Sequence, residues 1–250
     1  ARIPLVPGLF DLVIVDEASQ SDIASALPLF ARGKRLIVVG DPQQLESIPQ
    51  LGPAQERALM TGVGLSTRAM AGYAQSLNSL FGFVASRRSS RRVMLRDQFR
   101  SAPDVVRFLN DTFYGGKLRA ARDPDTLKAP KGHRPGIAWT DVPGQVERDE
   151  SGGPRNRAEA DAIADHLDEL LDRQGFDGTV GVVSPFNAQV ALLTDAIAAR
   201  VSADARDRVK LKVATIDRFQ GDERDVILFS PVAAPGAGQS VVQFLQRERR

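Results

Sequence analysis

The sequence predicts an α/β fold with mostly parallel sheets, divided into two lobes. Along the 250 residues, short β-branched and apolar runs alternate with amphipathic helical patterns, which is the element order of α/β proteins. Several runs are apolar on both faces, as in parallel strands covered by helices on each side. A polar, arginine-rich stretch, SRRSSRR at 86–92, separates the two series and predicts a hinge.

Short runs with the composition of strands occur in both lobes. We expect the first lobe in residues 1–90 and the second, with a fuller strand–helix series, in residues 91–250. The predicted strands are residues 12–16, 35–40, 92–95, 137–142, 179–184, 212–215 and 225–230. Trp139 lies in one of these apolar runs and is therefore predicted to be a core residue.

Three segments of the second lobe carry apolar residues at helical spacing and predict helices. They are residues 103–113, 157–173 and 187–201. Pro103 suits the first helical position, because its missing N–H has no intrahelical partner there. Asn156 precedes the second of these helices and is predicted to be its N-cap.

The composition excludes several classes of protein. The chain has no cysteine, which excludes disulfides and thiolate metal sites, and its two histidines, His133 and His166, lack ligand spacing and are expected on the surface. No apolar run approaches the roughly 18 residues that cross a bilayer, and no secretory signal opens the chain. We therefore expect a cytoplasmic protein without a membrane partner. The net charge of +2 identifies no ligand class.

Two acidic residues at the end of the first predicted strand are the first candidate site. In FDLVIVDEASQ, residues 10–20, an apolar run leads directly into Asp16 and Glu17. Ligands of open α/β sheets bind beyond the carboxyl ends of the strands. Adjacent acids there suit nucleotide hydrolysis, in which one holds Mg²⁺ and the other orients or deprotonates water. The alternative is that they favour the start of a helix.

A second polar strand end follows in LIVVGDPQQL, residues 36–45. Gly40 permits close backbone approach, and Pro42 starts the next segment with a fixed φ. Gln43 and Gln44 offer neutral amides that can contact a phosphate or a water. A Gly–Asp–Pro turn is common alone, but a second polar strand end beside the first favours nucleotide chemistry.

These stretches resemble motifs of superfamily one helicases, in the branch that contains the nonsense-mediated-decay RNA helicase and the Okazaki-fragment helicase-nuclease. VIVDEASQ is similar to motif II of that family and VVGDPQQLESI to motif III. Residues 95–118 resemble motif IV and its following helix, 181–190 a strand and helix start before motif V, and 213–230 motif V. The resemblance covers about residues 10–230, and the motifs occur in the same order as in the family. It implies two RecA-like lobes, the first of them incomplete, with a nucleotide between them.

The resemblance also implies the roles of residues in the first lobe. Asp16 would coordinate Mg²⁺ and Glu17 would act as the catalytic base. Gln44 would sense the γ-phosphate of ATP and couple it to the nucleic-acid site. Gly40 and Asp41, in the motif III turn, would belong to the nucleotide-binding surface.

In the second lobe the resemblance implies three further nucleotide contacts. Arg100 would be the arginine finger, since a guanidinium stabilises charge on a transferring phosphoryl group. Glu223 would accept a hydrogen bond from the ribose, with Gly221 allowing close backbone approach. The alternatives are a surface ion pair for Arg100 and, for Glu223, a loop carboxylate near Arg224.

Single-stranded DNA or RNA is the partner that the resemblance implies. Ser184, Pro185 and Thr215 stand at strand ends suited to phosphate contacts through hydroxyl and N–H donors. A strand-end cap is the alternative for Ser184. Phe186 could stack on a base. The arginines at 86–92 suit either phosphate contacts or a solvated loop.

The sequence departs from the family pattern in two places. It contains no G-x-x-x-x-G-K-[ST] phosphate loop and stops where motif VI is expected. We therefore expect a fragment of a longer parent helicase that hydrolyses ATP, whereas these residues alone are expected to be inactive. A non-catalytic nucleic-acid- or protein-binding module derived from a helicase is the alternative function. A signalling ATPase fits motif II but not the later motifs.

Overall fold

The chain divides into two compact units, unit 1 (Ala1–Leu95) and unit 2 (Arg96–Arg250). In this computed structural model the described residues are 3–44, 49, 51–87 and 90–245. The end of the motif III stretch, the centre of the arginine-rich stretch and the C-terminal arginine run lie outside the described residues, at 45–48, 88–89 and 247–250.

Unit 1 is built on a two-stranded parallel sheet. Strand β1 (Val13–Val15) pairs with β2 (Leu36–Val38), and helix α1 (Ile23–Arg32) connects them. Asp22 caps α1 by accepting a hydrogen bond from the backbone N–H of Ser25 at 2.8 Å. The later helices of this unit are α2 (Pro53–Gly62), α3 (Thr67–Tyr73) and α4 (Leu80–Ala85).

The core of unit 1 lies on one face of this sheet. Ala18, Ala26 and Leu80 are buried there, and partly buried Val15 and Val38 pack against them. On the other face, Ile14 is 60% exposed and Ile37 is 47% exposed. Within the described residues, one face of β1 and β2 is therefore left uncovered.

Unit 2 is centred on a three-stranded parallel sheet of β7 (Val180–Ser184), β8 (Lys212–Thr215) and β9 (Val226–Phe229). The strand order in this sheet is β8-β7-β9. All residues of β7 are buried, as expected of a central parallel strand covered on both faces. The predicted α/β fold with mostly parallel sheets is confirmed.

Two amphipathic helices cover one face of the unit 2 sheet. They are α6 (Arg157–Asp168), extended by a π-helical turn at Glu169–Arg173, and α7 (Asn187–Arg200). Their buried residues form a core with Val180 and Val182. Asn156 accepts a hydrogen bond from the N–H of Glu159, so both predicted helices and the predicted N-cap are confirmed.

Smaller elements complete unit 2. Residues 103–113, predicted as one helix, form an α-helix that passes into a π-helical turn at Asn110–Tyr114. The short strands are β3 (Asp97–Gln98), parallel to β4 (Arg119–Ala120), and β5 (Glu147–Arg148), antiparallel to β6 (Pro154–Arg155). The short helices are α5 (Pro103–Leu109), α8 (Ala203–Arg208), α9 (Ile216–Phe219), α10 (Gln239–Leu245) and a 3₁₀ turn at Pro124–Thr126.

Two predicted strands are wrong. Residues 92–95 and 137–142 form no strand, and the ladder near the first of them starts only at Asp97. Trp139, predicted in the core, is 81% exposed. An apolar run becomes a strand only where a neighbour hydrogen-bonds to it, and no described strand pairs with either segment. His133 and His166 are exposed, as predicted.

Among the described residues, no helix combines the length and the hydropathy that a bilayer crossing requires.

Candidate functional site

The first candidate residues follow directly from the end of β1. Glu17 has a φ of +51°, in the left-handed region that non-glycine residues rarely occupy. Its N–H donates a hydrogen bond to Oδ1 of Asp16 at 2.8 Å, and its Oε2 accepts one from Nε2 of Gln20 at 3.2 Å. Both carboxylates are exposed. The turn therefore presents two adjacent acids to solvent at the carboxyl end of the sheet.

The end of β2 is held beside this turn by a buried serine. Ser19 is 2% exposed. Its Oγ donates to the carbonyl oxygen of Asp41 and accepts from the N–H of Asp41, both at 2.8 Å. The N–H of Ala18 also donates to the carbonyl oxygen of Val39 at 2.9 Å. Ser19 was not among the residues predicted from the sequence. The one signal for it was a hydroxyl side chain three residues after Asp16.

Close packing explains the glycine at the end of β2. A Cβ on Gly40 would lie 2.8 Å from the Phe81 ring and 2.9 Å from Ser19 Oγ. Beyond it, the Asp41 carboxylate accepts from the N–H of Gln43 at 2.9 Å and from Nε2 of Gln44 at 3.0 Å. Gln44 is thus oriented by Asp41, in the turn that follows β2.

The chemistry of this edge fits a hard cation. Asp16 offers carboxylate oxygen, which Mg²⁺ prefers, and Mg²⁺ is usually held by one or two carboxylates together with water and substrate phosphates. Within the described residues, no cluster of three or more His, Cys, Asp or Glu side chains forms a protein-only metal cage. Asp16 and Glu17 are the exposed carboxylates of this edge whose chemistry fits Mg²⁺.

In unit 2 the structure brings together two residues predicted from distant motifs. Arg100 Nε lies 2.8 Å from Glu223 Oε2. The backbone N–H of Arg100 donates to Oε1 of Gln98 at 3.1 Å, and its carbonyl oxygen accepts from Arg122 at 2.8 Å. The loop that carries Arg100 is therefore tied to β3 on one side and to the residues after β4 on the other.

The loop that carries Glu223 lies between α9 and β9. Gly221 has a φ of +84°, a conformation that glycine adopts without steric cost. A hydrogen bond with Lys212 lowers the pKa of the neighbouring Asp222. The loop is therefore anchored to β8 through Asp222, while Glu223 is left on the exposed side.

The proposed nucleic-acid residues stand at adjoining strand ends of unit 2. Ser184 and Thr215 are register partners at the carboxyl ends of β7 and β8. Ser184 is 0% exposed and Thr215 is 7% exposed, whereas Pro185 is half-buried. The structure brings the three together, and both Ser184 and Thr215 are buried.

A buried polar network behind these strand ends was not predicted from the sequence. Oε2 of Glu159 accepts from Ser230 Oγ at 2.5 Å and from the N–H of Val232 at 3.0 Å. Gln189 Nε2 donates to Ser230 Oγ at 2.9 Å and to the carbonyl oxygen of Asn156 at 3.0 Å. Val232 has a φ of +59°, so the network holds a strained residue after β9. The predicted N-cap at Asn156 was its one sequence signal.

Two models of known protein families match two separate parts of the chain. A family described as an AAA domain matches residues 77–250, and a second family of the same description matches residues 5–49. The chain belongs to this AAA domain family. Helicase SEN1 of Saccharomyces cerevisiae is 29% identical over 96% of the chain. Probable helicase MAGATAMA 3 of Arabidopsis thaliana is 28% identical over 96% of the chain. DNA-binding protein SMUBP-2 of Rattus norvegicus is 27% identical over 96%.

These matches confirm the predicted resemblance to superfamily one helicases of the nonsense-mediated-decay branch. The chain spans only 10%, 28% and 23% of the lengths of these three relatives. Residues 50–76 lie outside both matched ranges of the AAA domain family. The first part of the segment between the motif III and motif IV stretches is therefore covered by neither family match.

Proposed function

We propose that this chain is part of an ATP-dependent nucleic-acid helicase or translocase motor, acting on single-stranded DNA or RNA. Unit 1 is the later part of a first RecA-like domain and unit 2 is a second. The observation that carries the proposal is the joined carboxyl end of β1 and β2, where Ser19 ties the Asp16–Glu17 turn to Gly40 and Asp41. Two of the relatives, SEN1 and MAGATAMA 3, are named as helicases, and SMUBP-2 is named as a DNA-binding protein. These names support the proposal.

Each exposed acid of this edge has a distinct proposed role. Asp16 holds Mg²⁺, which when bound to ATP neutralises charge on the β- and γ-phosphates. Glu17 orients and deprotonates the attacking water. Gln44, oriented by Asp41, senses whether a γ-phosphate is present. A neutral amide suits that sensing role because it can contact phosphate or water without adding charge.

Unit 2 supplies the remaining proposed groups. Arg100 stabilises charge on the transferring phosphoryl group, and Glu223 accepts from the ribose. At the strand ends of Ser184 and Thr215, Pro185 and the backbone N–H groups that follow it contact the single strand. Because Ser184 and Thr215 are buried, their contribution to that contact is to fix the strand ends from which Pro185 and the following N–H groups project.

A carboxylate-to-amide substitution tests the proposal in the full-length protein. Glu17→Gln keeps the shape of the side chain but removes the base, so ATP hydrolysis should fall by roughly 10²–10⁴-fold while ATP binding persists. Asp11→Asn is the matched control, since Asp11 precedes β1 in the same unit and pairs with Lys34 at 2.8 Å. Phosphate release and nucleotide binding are measured for both variants. An unaffected Glu17→Gln rate would overturn the assignment.

A further inference from the structure

A strongly basic segment follows the motif III stretch in unit 1. Residues 51–95 contain six arginines and one acidic residue, Glu56. Glu56 is 8% exposed, and its carboxylate accepts from the N–H groups of Gln75 at 2.5 Å and Ser76 at 3.2 Å. The Glu56 carboxylate is therefore bound by the backbone that leads into α4. The described arginines of this segment are exposed, and the segment contains no other acid to pair with them.

A cavity of about 280 Å³ lies within this basic segment. It is lined by Ser66, Arg68, Gly72, Tyr73 and Arg87. Both arginines are exposed, and Tyr73 is 41% exposed. Within the described part of the chain, neither guanidinium forms an ion pair with a carboxylate. The cavity therefore combines two available positive charges with an accessible aromatic ring.

An aromatic pair fixes one of these charges beside the ring. The Arg87 guanidinium carbon lies 4.2 Å from the Phe83 ring centroid, and the centroids of Phe83 and Tyr73 are 5.3 Å apart at an interplanar angle of 39°. Stacking on Phe83 orients the guanidinium without neutralising its charge. Arg87 is therefore held in place for an anion while Tyr73 keeps an exposed ring surface.

We propose that this cavity binds a nucleotide unit of a single-stranded nucleic acid. Arg68 and Arg87 contact backbone phosphate, whose oxygens match the planar guanidinium fork, and a base stacks on Tyr73. The cavity shares no residue with the Asp16–Glu17 edge or with the Ser184–Thr215 strand ends. Arg68 and Tyr73 also lie in the segment 50–76, outside both matched family ranges.

The combination of groups favours a single strand over other anionic partners. A duplex keeps its base faces stacked inside and offers none to Tyr73, whereas a single strand exposes them. An acidic protein segment would pair with the arginines but leave the ring without a flat partner. The proposed site shares its single-stranded partner class with the proposed function and is independent of ATP hydrolysis.

Binding of fluorescently labelled oligo-dT and oligo-U by the 250-residue chain tests the arginines. Each phosphate contact adds about 0.7 to the slope of log affinity against log salt for single strands. Arg68→Gln and Arg87→Gln should each reduce the slope by about that amount. Arg57→Gln, which removes an exposed arginine of the same unit outside the cavity, should leave it nearly unchanged. Equal losses in all three variants would indicate general charge attraction and overturn the site.

Two substitutions of Tyr73 test the proposed stacking of a base on its ring. Tyr73→Phe keeps the ring and should retain affinity, whereas Tyr73→Leu should weaken single-strand binding by about fivefold or more. Ultraviolet crosslinking of a bromodeoxyuridine oligomer should map to Tyr73 in the wild-type chain. If Tyr73→Leu does not fold, as judged by circular dichroism, the crosslink and the arginine variants decide the question.

Two results would contradict the inference. One is the absence of any single-strand binding or of a crosslink at Tyr73. The other is binding of polyglutamate that is sensitive to Arg68→Gln and insensitive to Tyr73→Leu, which would identify an acidic protein partner. Failure here leaves the Glu17→Gln experiment unchanged, because that experiment measures hydrolysis. The two proposals therefore fail separately.

Discussion

Arg100 and Glu223 form an ion pair within unit 2, with 2.8 Å between Nε and Oε2. Their side chains are 60% and 67% exposed, and exposed pairs of this kind contribute about 0–1 kcal/mol to stability. The pair is therefore not a structural requirement of the unit. It does hold side by side two residues to which we assign different parts of one nucleotide. The proposed arginine-finger role requires Arg100 to exchange Glu223 for phosphoryl oxygens.

Removal of the Arg100 guanidinium should affect turnover and not folding. In the full-length protein, Arg100→Ala should lower kcat by about a thousandfold or more if it acts as an arginine finger. Arg107→Ala is the matched control, because Arg107 forms a comparably exposed 2.8 Å pair with Asp104 in the same unit. Phosphate release and thermal denaturation are measured together. A loss of less than tenfold, or one shared by Arg107→Ala, would reject the assignment.

Glu223 should act on nucleotide affinity through the ribose. A hydrogen bond from a hydroxyl to a carboxylate contributes about 1.5–3 kcal/mol. The full-length wild-type protein should therefore bind ATP roughly tenfold or more tightly than 2′,3′-dideoxy-ATP. Glu223→Ala should remove that discrimination. Equilibrium binding of both nucleotides to wild type and variant measures it. Discrimination that survives the substitution would show that another group contacts the ribose.

The close approach at the end of β2 should make Gly40 intolerant of a side chain. Gly40→Ala would place a methyl group 2.8 Å from the Phe81 ring and 2.9 Å from Ser19 Oγ, which should lower the free energy of unfolding by about 1–3 kcal/mol. Gly62→Ala is the control, since a methyl group there would meet nothing within 4 Å beyond its own helix and chain neighbours, and it should be neutral or stabilising. Urea denaturation of the 250-residue chain distinguishes the two; similar values would contradict the packing described for Gly40.

The cap of α1 should make unit 1 sensitive to acid. Hydrogen bonds from Ser25 lower the pKa of Asp22 below its ordinary value of 3.8. Because the pKa of Asp22 is lower in the folded state than in the unfolded state, the cap stabilises the fold fully at pH values above the unfolded-state pKa. This stabilisation is lost as the pH falls through the folded-state pKa. Asp22→Asn keeps the cap without titrating, so its free energy of unfolding should fall less below pH 3.8. Urea denaturation at several pH values measures the difference, and identical pH profiles would contradict it.

Elements with long periodic patterns could be predicted from the sequence. The apolar stripe of α6 identified a helix whose buried face includes Ala164 and Leu167, and the apolar run of β7 identified a strand buried along its whole length. Such patterns are determined locally, by which side chains one face of an element presents. The acidic and amide residues after β1 and β2 could be found for the same reason, because they end apolar runs.

Features that depend on a distant partner could not be predicted. Trp139 and Val93 lie in runs of strand composition, yet they are 81% and 87% exposed, because composition does not reveal whether a neighbouring strand is available. The contact of Gln189 with Ser230 joins residues far apart in the chain, and no local pattern distinguishes this amide from a solvated one. The same holds for the Ser19 link to Asp41 and for the Tyr73–Phe83 pair.

The most direct test of the proposed motor is the rate of phosphate release from ATP by the full-length protein as single-stranded DNA or RNA is added. We predict release that rises at least tenfold at saturating single strand and is abolished by Glu17→Gln. The 250-residue chain, which contains no phosphate-loop motif, should show no such release. A rate in the full-length protein that is independent of both single-stranded DNA and single-stranded RNA would contradict the account.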